Sequence, residues 1–358
     1  MKFSSFTFSM TTDCNYECLY CYQKKAKDYL EVDTAKKAID FFSPYMLPDC
    51  SINFYGGEPL LAFDRMKETV AYLKNKSDET EKQFEYSITT NGSLIDEDVL
   101  RFLDENQFTV LLSFDGLAQE MERKKGSFAP LVSVMQKILR CSSAAIETNS
   151  VFTKRTVPYL SESIRFIVES GVPSVNLSVS SLSSWDDYSL EKLEEEMSNL
   201  RKYCVSFYRK TGNIPVVEFR PSPKPCIFGC LAGKDRMALS PDGKLWGCCL
   251  FLDYFNSRKD TRNFMKYCFG SLSSFVKNHE RIYPSYLDNY AYLGMDHFST
   301  PEGFCALCDE LEDCAVCPVE TLFAGSIMRK IPSWICQIRK ITRKEKRQFL
   351  KEIQRDSA

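Results

Sequence analysis

The chain has 358 residues, 44% apolar and 26% charged, enough for one large domain and a smaller one around a sizeable core. Lys and Arg number 46 against 48 Asp and Glu, a formal charge of -2 that lacks the basic excess of a nucleic-acid binder. Met1 to Met10 alternates apolar and polar residues without a secretory apolar stretch, and no later run approaches membrane-spanning length, so no membrane partner and a cytoplasmic location are expected.

Short β-rich runs alternate with amphipathic stretches through roughly the first 210 residues, the pattern of repeated βα units around a parallel sheet. Strands are expected at Ser4–Met10, Ser51–Tyr55, Glu85–Thr90, Phe108–Phe114, Ala145–Phe152 and Ser174–Ser180. Between them Asp33–Phe42, Phe63–Lys74, Asp96–Glu105, Ala129–Arg140 and Pro158–Ser170 carry helical spacing, several with an acidic residue or Pro near the start. Six such units predict an α/β fold, an incomplete (β/α)6 TIM-like barrel over residues 1–212. Ser189–Lys210 reads as a longer helix leaving the barrel, stopped by Thr211-Gly212-Asn213. Residues 213–225 end in the stiff run Pro221-Ser222-Pro223-Lys224-Pro225, a hinge. Residues 226–337 are loop-rich and cysteine-rich with weak periodicity, a small domain expected to need metal to fold. The basic tail 338–358 is helix-like, with Ile341, Phe349, Leu350 and Ile353 as the side packed on the domain.

Sixteen cysteines in a chain expected in a reducing compartment point to metal ligands or free thiols rather than disulfides. Three lie within eight residues near the N-terminus and ten after position 225; Cys50, Cys141 and Cys204 sit among apolar residues and read as core. His279 and His297 have no spacing partner and are assigned no role. Cys14-x3-Cys18-x2-Cys21 places three thiolates on one loop straight after the first strand, at the rim where barrel enzymes gather their chemistry. A cubane cluster needs four ligands, so three thiolates leave one iron open. A structural zinc would want a fourth Cys or His at close spacing, and this loop offers none.

With Tyr20 at the aromatic place, Cys-x3-Cys-x-aromatic-Cys resembles the signature of the radical SAM superfamily. Phe54-Tyr55-Gly56-Gly57-Glu58-Pro59, Thr89-Thr90-Asn91-Gly92 and Ser113-Phe114-Asp115-Gly116 follow at successive strand ends in the order of that family, although each alone also reads as a turn. The resemblance implies a catalytic 4Fe-4S cluster on Cys14, Cys18 and Cys21 and S-adenosylmethionine (SAM) chelated at the open iron. Its reductive cleavage then gives methionine and a 5'-deoxyadenosyl radical that abstracts a substrate hydrogen. It also implies that Gly56 and Gly57 let backbone approach the ligand, that Glu58 pairs with the SAM ammonium, that Asn91 and Ser113 line its ribose and carboxylate side, and that the Tyr20 backbone meets the adenine.

Downstream, Cys230, Gly243 and Cys248, then Cys305-x2-Cys308-x5-Cys314-x2-Cys317 and Cys336, resemble the SPASM domain of radical SAM enzymes. The resemblance implies two auxiliary 4Fe-4S clusters, one on Cys226, Cys230, Cys248 and Cys317, the other on Cys305, Cys308, Cys314 and Cys336. Thiolate foursomes also suit a pair of structural zincs. Only Ala315 and Val316 separate Cys314 from Cys317, one residue fewer than the family pattern, and Cys249 and Cys268 are surplus. In sulfatase-maturing members the place of Cys249 carries an aspartate base, so this thiol reads either as a proton-moving catalytic residue or as packing.

The pairing of domains implies a maturase that modifies a peptide or protein, by a thioether or carbon-carbon crosslink or a related change. Formylglycine formation on a sulfatase is the alternative, and a non-catalytic metal-stabilised scaffold is the rival from another class. A reductant protein such as flavodoxin or ferredoxin is implied as a partner. Thirteen residues precede Cys14, so leader recognition is expected to use a separate protein or the surfaces of these domains.

Overall fold

The structure, a computed structural model, describes residues 1–221, 230–256, 258, 262–291, 298–311, 314 and 316–355. The first half alternates strand and helix: β1 (Phe3–Thr11), α1 (Val32–Phe42), β2 (Met46–Gly56), α2 (Phe63–Thr80), β3 (Gln83–Thr90), α3 (Glu97–Glu105), β4 (Thr109–Ser113), α4 (Gln119–Glu122), α5 (Phe128–Ile138), β5 (Ala145–Phe152), α6 (Leu160–Glu169), β6 (Val175–Val179) and α7 (Asp187–Thr211). All six expected strands form, and β1 to β6 pair in parallel in sequence order as an open, partial barrel.

The alternation within each strand sets the layers. Phe6 and Phe8 of β1 lie beside Ile52 and Phe54 of β2, all fully buried, and Phe6 meets Phe42 of α1 with ring centroids 5.2 Å apart. The other face of the same strands is polar: Asn53 Nδ2 donates to Ser5 Oγ (2.9 Å), and the Ser87 hydroxyl donates to Asn53 Oδ1. An apolar layer under the helices and a hydrogen-bonded interior follow directly from the period of two. Asp96 and Asp186 cap α3 and α7 by accepting from the amides of Val99 and Ser189, and Gly212, at φ 73°, ends α7 where the sequence places its stop.

The second half departs from the loop-rich expectation. β7 (Arg236–Leu239), β8 (Lys244–Trp246), α8 (Cys249–Asn256), α9 (Arg262–Tyr267), β9 (Cys268–Ser271), α10 (Leu272–Ala291), the two-residue strands β10 (Ser299–Thr300) and β11 (Gly303–Phe304), α11 (Pro318–Phe323) and α12 (Ser333–Arg355) give it regular structure. Its short elements are held by a cluster of rings, Trp246, Phe251, Phe255, Phe269 and Phe275, whose dense apolar runs hide any period. β7 pairs in parallel with β1, so one nine-stranded sheet crosses the expected boundaries at 212 and 225. The C-terminal helix begins at Ser333 and therefore carries Cys336. It lies on α7, where Arg201 donates to Glu345 (2.7 Å) and Glu352 (2.5 Å), and Phe349 stacks on Phe219 at 5.1 Å.

Cys50 and Cys204 are buried as expected and Cys141 is half-buried. His279 packs against the rings of Phe41 and Phe275, while His297 and Cys226 lie outside the described residues. Among the described residues no helix is long and apolar enough to cross a membrane.

Candidate active site

The C-terminal ends of β2 to β6 and the loop after β1 surround a cavity of about 530 Å³. Cys14, Cys18, Cys21, Tyr20, Gly56, Gly57, Asn91 and Ser113 all line it, so the structure brings most of the residues singled out by motif onto one wall. Tyr16 N–H points to Cys14 Sγ (3.5 Å), and Asn91 Nδ2 lies 3.9 Å from the same sulfur while donating to Asn15 Oδ1 (2.8 Å).

The loop is held by groups that local motifs do not reveal. Asp115 is buried and takes two donors from Arg123, at 2.7 and 2.9 Å, plus the Tyr20 hydroxyl at 2.7 Å and the Val151 amide at 2.8 Å. Arg123 also lies over the Tyr20 ring at 5.3 Å, and Leu19 N–H donates to Glu122 O at 2.7 Å. Arg123 was missed by sequence reading. The only signal was an aspartate at a buried strand end that needs a cation, eight residues before an arginine.

Glu58 follows the two glycines at the end of β2. Its carboxylate is fully buried and does not line the cavity; it accepts from Leu60 N (3.1 Å), Thr90 Oγ1 (2.7 Å) and Asn91 N (2.7 Å). Burial pushes its carboxyl up to about 7, and these three donors limit the rise. Its structural role is to staple the end of β2 to the end of β3. The glycines before it serve a second close approach: a Cβ on Gly56 would meet Thr11 O at 2.2 Å, and one on Gly57 would meet Asp13 O at 2.1 Å. Backbone packs on backbone here, with Gly57 N–H donating to Thr11 O and Glu58 N–H to Asp13 O.

Opposite the cysteine loop stands α8. Asp253, one turn after Cys249, is buried and accepts from Gln23 Nε2 (3.1 Å) and the Tyr55 hydroxyl (3.0 Å). The Tyr22 and Tyr55 hydroxyls are 3.5 Å apart, and both residues, with Gln23, line the cavity. Burial pushes Asp253 up to about 7, whereas burial and the Asp253 charge push Cys249 up to about 12. Neither Cys249 nor Asp253 lines the cavity; Asp253, able to change charge near neutrality, reaches it through the Gln23 and Tyr55 side chains, which do. Its sequence signal was helical spacing, four residues after Cys249.

The remaining thiols fall into two sets. Cys248 feels the charges of Cys317 and Cys230, and Cys305 those of Cys314, Cys336 and Cys308. The second set lines its own cavity of about 410 Å³. Burial is the first cause that pushes Cys18, Cys317 and Cys305 up to about 11 and raises Cys14, Cys248, Cys314 and Cys336. Buried thiols stay protonated unless a cation joins them, and a bound metal deprotonates them outright. The four thiols of the second set share one cavity, a donor set that suits a thiolate-bound metal centre. Cys268 bonds instead to the backbone, its Sγ donating to Leu245 O at 3.6 Å.

Comparison with known proteins agrees with this geometry. The Radical SAM superfamily model matches residues 8–153. The radical SAM cyclopropyl synthase TigE of Paramaledivibacter caminithermalis is 23% identical over 297 residues, 72% of this chain and 61% of that protein. The cysteine-type anaerobic sulfatase-maturating enzyme of Clostridium perfringens (strain 13 / Type A) is 33% identical over 114 residues, 30% of this chain and 31% of its own. The chain thus spans less than two thirds of the length of either relative. The fold matches the structure of anSMEcpe with bound AdoMet and Cp18Cys peptide at TM-score 0.71 and 19% identity, covering 99% of both chains.

Proposed function

We propose that this chain, an enzyme whose residues 8–153 form a radical SAM domain, modifies a peptide or protein by hydrogen-atom abstraction, leaving a crosslink or a related change. The observation that carries this reading is the cavity itself, with three thiols on one wall and the C-terminal half of the chain, including Cys317, on the other. The fold it shares with a structure holding both AdoMet and a peptide supports a peptide as the occupant.

Cys14, Cys18 and Cys21 would hold three irons of the catalytic cluster, and Cys226, Cys230, Cys248 and Cys317, then Cys305, Cys308, Cys314 and Cys336, those of two auxiliary clusters. When bound there, such a cluster would supply one-electron reduction of SAM, drawing on an external reductant such as flavodoxin or ferredoxin, and so the radical chemistry. The chain's own part is positional. Asp115 and Arg123 fix Tyr20 and with it the thiol loop, Glu58 fixes the Asn91 backbone, and Gly56, Gly57 and Ser113 shape the wall on which SAM would lie. Tyr55 can hold a proton beside the substrate, with Asp253 behind it as the acceptor. Leader recognition would use a separate protein or the outer surfaces of the two halves.

One observation keeps formylglycine formation as a second reading. The resemblance puts an aspartate base at the place of Cys249 in sulfatase-maturing members, and Asp253, one helical turn later, is a buried carboxylate that accepts from Tyr55, which lines the cavity. The test begins with protein purified and reconstituted without oxygen. About twelve irons with matching sulfide, and 5'-deoxyadenosine formed from SAM under dithionite, are expected; zinc in place of iron, or no nucleoside product, refutes the proposal. Mass spectrometry of a co-expressed peptide or sulfatase after treatment with an aldehyde-reactive probe then separates the two readings, since formylglycine carries an aldehyde and a crosslink does not.

A further inference from the structure

The end of the cavity remote from the cysteine loop holds charges that the reaction does not use. Glu320 of α11 is closed on itself with Arg339 of α12: Nη2 donates to both carboxylate oxygens at 2.8 Å, and Ser181 Oγ adds a third donor at 2.5 Å. Glu218, in the single 3-10 turn Val217–Phe219, is different. Its Oε2 accepts from the Leu177 amide at 2.9 Å, and among the described residues no Lys, Arg or His lies within ion-pair distance of it. The residue is enclosed by protein, and what remains open of it faces the cavity. Arg339 Nε is likewise buried without an acceptor.

The local set therefore carries two carboxylates and one guanidinium, a net single negative charge on the cavity lining. Arg339 and Lys346, both on α12, act on Glu218 only at a distance, and burial outweighs them, pushing its carboxyl up to about 7. An enclosed carboxylate without a counter-charge destabilises the fold that holds it unless a ligand completes the pair. Beside it, Leu177, Val179 and Leu182 give the cavity an apolar stretch. Such a channel ending in a carboxylate suits a chain of methylenes carrying a cation at its tip.

We propose that Glu218 is a specificity-determining residue that receives the basic side chain, lysine or arginine, of the peptide substrate at the far end of the cavity. The inference rests on the peptide-modifying reading above and deepens it: the residue presented here, or its close neighbour in the chain, is cationic. Arg339 is held by Glu320 so that it does not neutralise Glu218 in advance, which keeps the carboxylate available to the incoming group.

The test uses the full reconstituted enzyme with SAM and without reductant, so that any charge SAM itself brings is already in place. The probes are an acetylated, amidated Ala-Lys-Ala tripeptide and its norleucine counterpart, with affinity read by calorimetry. The lysine peptide is expected to bind at least about tenfold tighter. The preference should shrink to within about twofold in Glu218→Gln and survive in part in Glu218→Asp. Equal affinity of the two probes, no binding of the lysine probe, or an undiminished preference in Glu218→Gln overturns the proposal. Should Glu218→Gln not fold, the wild-type pair of probes decides alone. SAM cleavage under dithionite is read separately on the wild type: cleavage without lysine preference removes only this subsite, and lysine preference without cleavage removes only the radical reading.

Discussion

The two walls of the cavity are built in opposite ways. The cysteine wall comes from a loop in which Cys14, Cys18 and Cys21 fall within eight residues, backed by short motifs at successive strand ends. The facing wall draws Glu218, Glu320 and Arg339 from separate elements, and Asp253, behind Gln23 and Tyr55, is 230 positions from the Gln23 that it accepts from. Behind the first wall Asp115 and Glu58 are closed by several donors each, although Glu122 Oε2 is left without one, whereas the second leaves Arg339 Nε without an acceptor and Glu218 with a single backbone donor. Rigid closure suits a site whose ligands do not vary from turnover to turnover. Unfilled bonding capacity suits the side that meets a substrate.

The largest effect that would sharpen this contrast is at the thiol loop. Cys18→Ala removes one of three thiolates on a site with no spare, so 5'-deoxyadenosine formation should fall below detection while two thirds of the iron, the auxiliary share, remains; unchanged nucleoside production would break the assignment of this wall. Next comes the closed network. Arg123→Met leaves Asp115 buried without its cation and should cost about 3–5 kcal/mol of stability in denaturant unfolding; a loss below about 1 kcal/mol would mean the pair is solvated.

A smaller effect is expected where backbone touches backbone. In Gly57→Ala the new methyl collides with Asp13 O, so the loop must shift, at a cost of about 1–3 kcal/mol and with weaker iron retention on reconstitution. Wild-type iron content and melting in that variant would show the approach to be looser than 2.1 Å.

The smallest effect has the opposite sign and belongs to the facing wall. Glu218 has a folded-state carboxyl raised to about 7 against an ordinary 4.5, so the native state binds the extra proton and loses stability as pH rises between those values. Glu218→Gln should therefore be the more stable protein, with its advantage growing by about 1 kcal/mol from pH 6 to pH 8 and levelling above. An advantage independent of pH would indicate that the carboxylate already has a counter-charge.

Much of this molecule was legible before any coordinates. The period of two in β1 to β6 and the helical spacing between them placed every barrel strand, because a half-buried strand or helix writes its own burial into neighbouring residues. The second half was less legible: α8 lies in a run so rich in rings that no polar face marks the period, and α10 is interrupted by the non-helical Asn278 and by Pro284. The donors that close on Glu58 were not legible, since Thr90 and Asn91 reach it only when the fold sets the end of β3 beside the end of β2.

By itself the sequence determined the βα order, the three-thiol loop and the chemistry that thiolates without histidine partners allow. Only the tertiary structure decided which acids have partners: Arg123 for Asp115, Arg339 for Glu320, and among the described residues no cation for Glu218. The physical reason is range. Periodicity and ligand spacing act over a few residues, while the protonation and pairing of a buried charge depend on whatever distant segment the fold brings beside it.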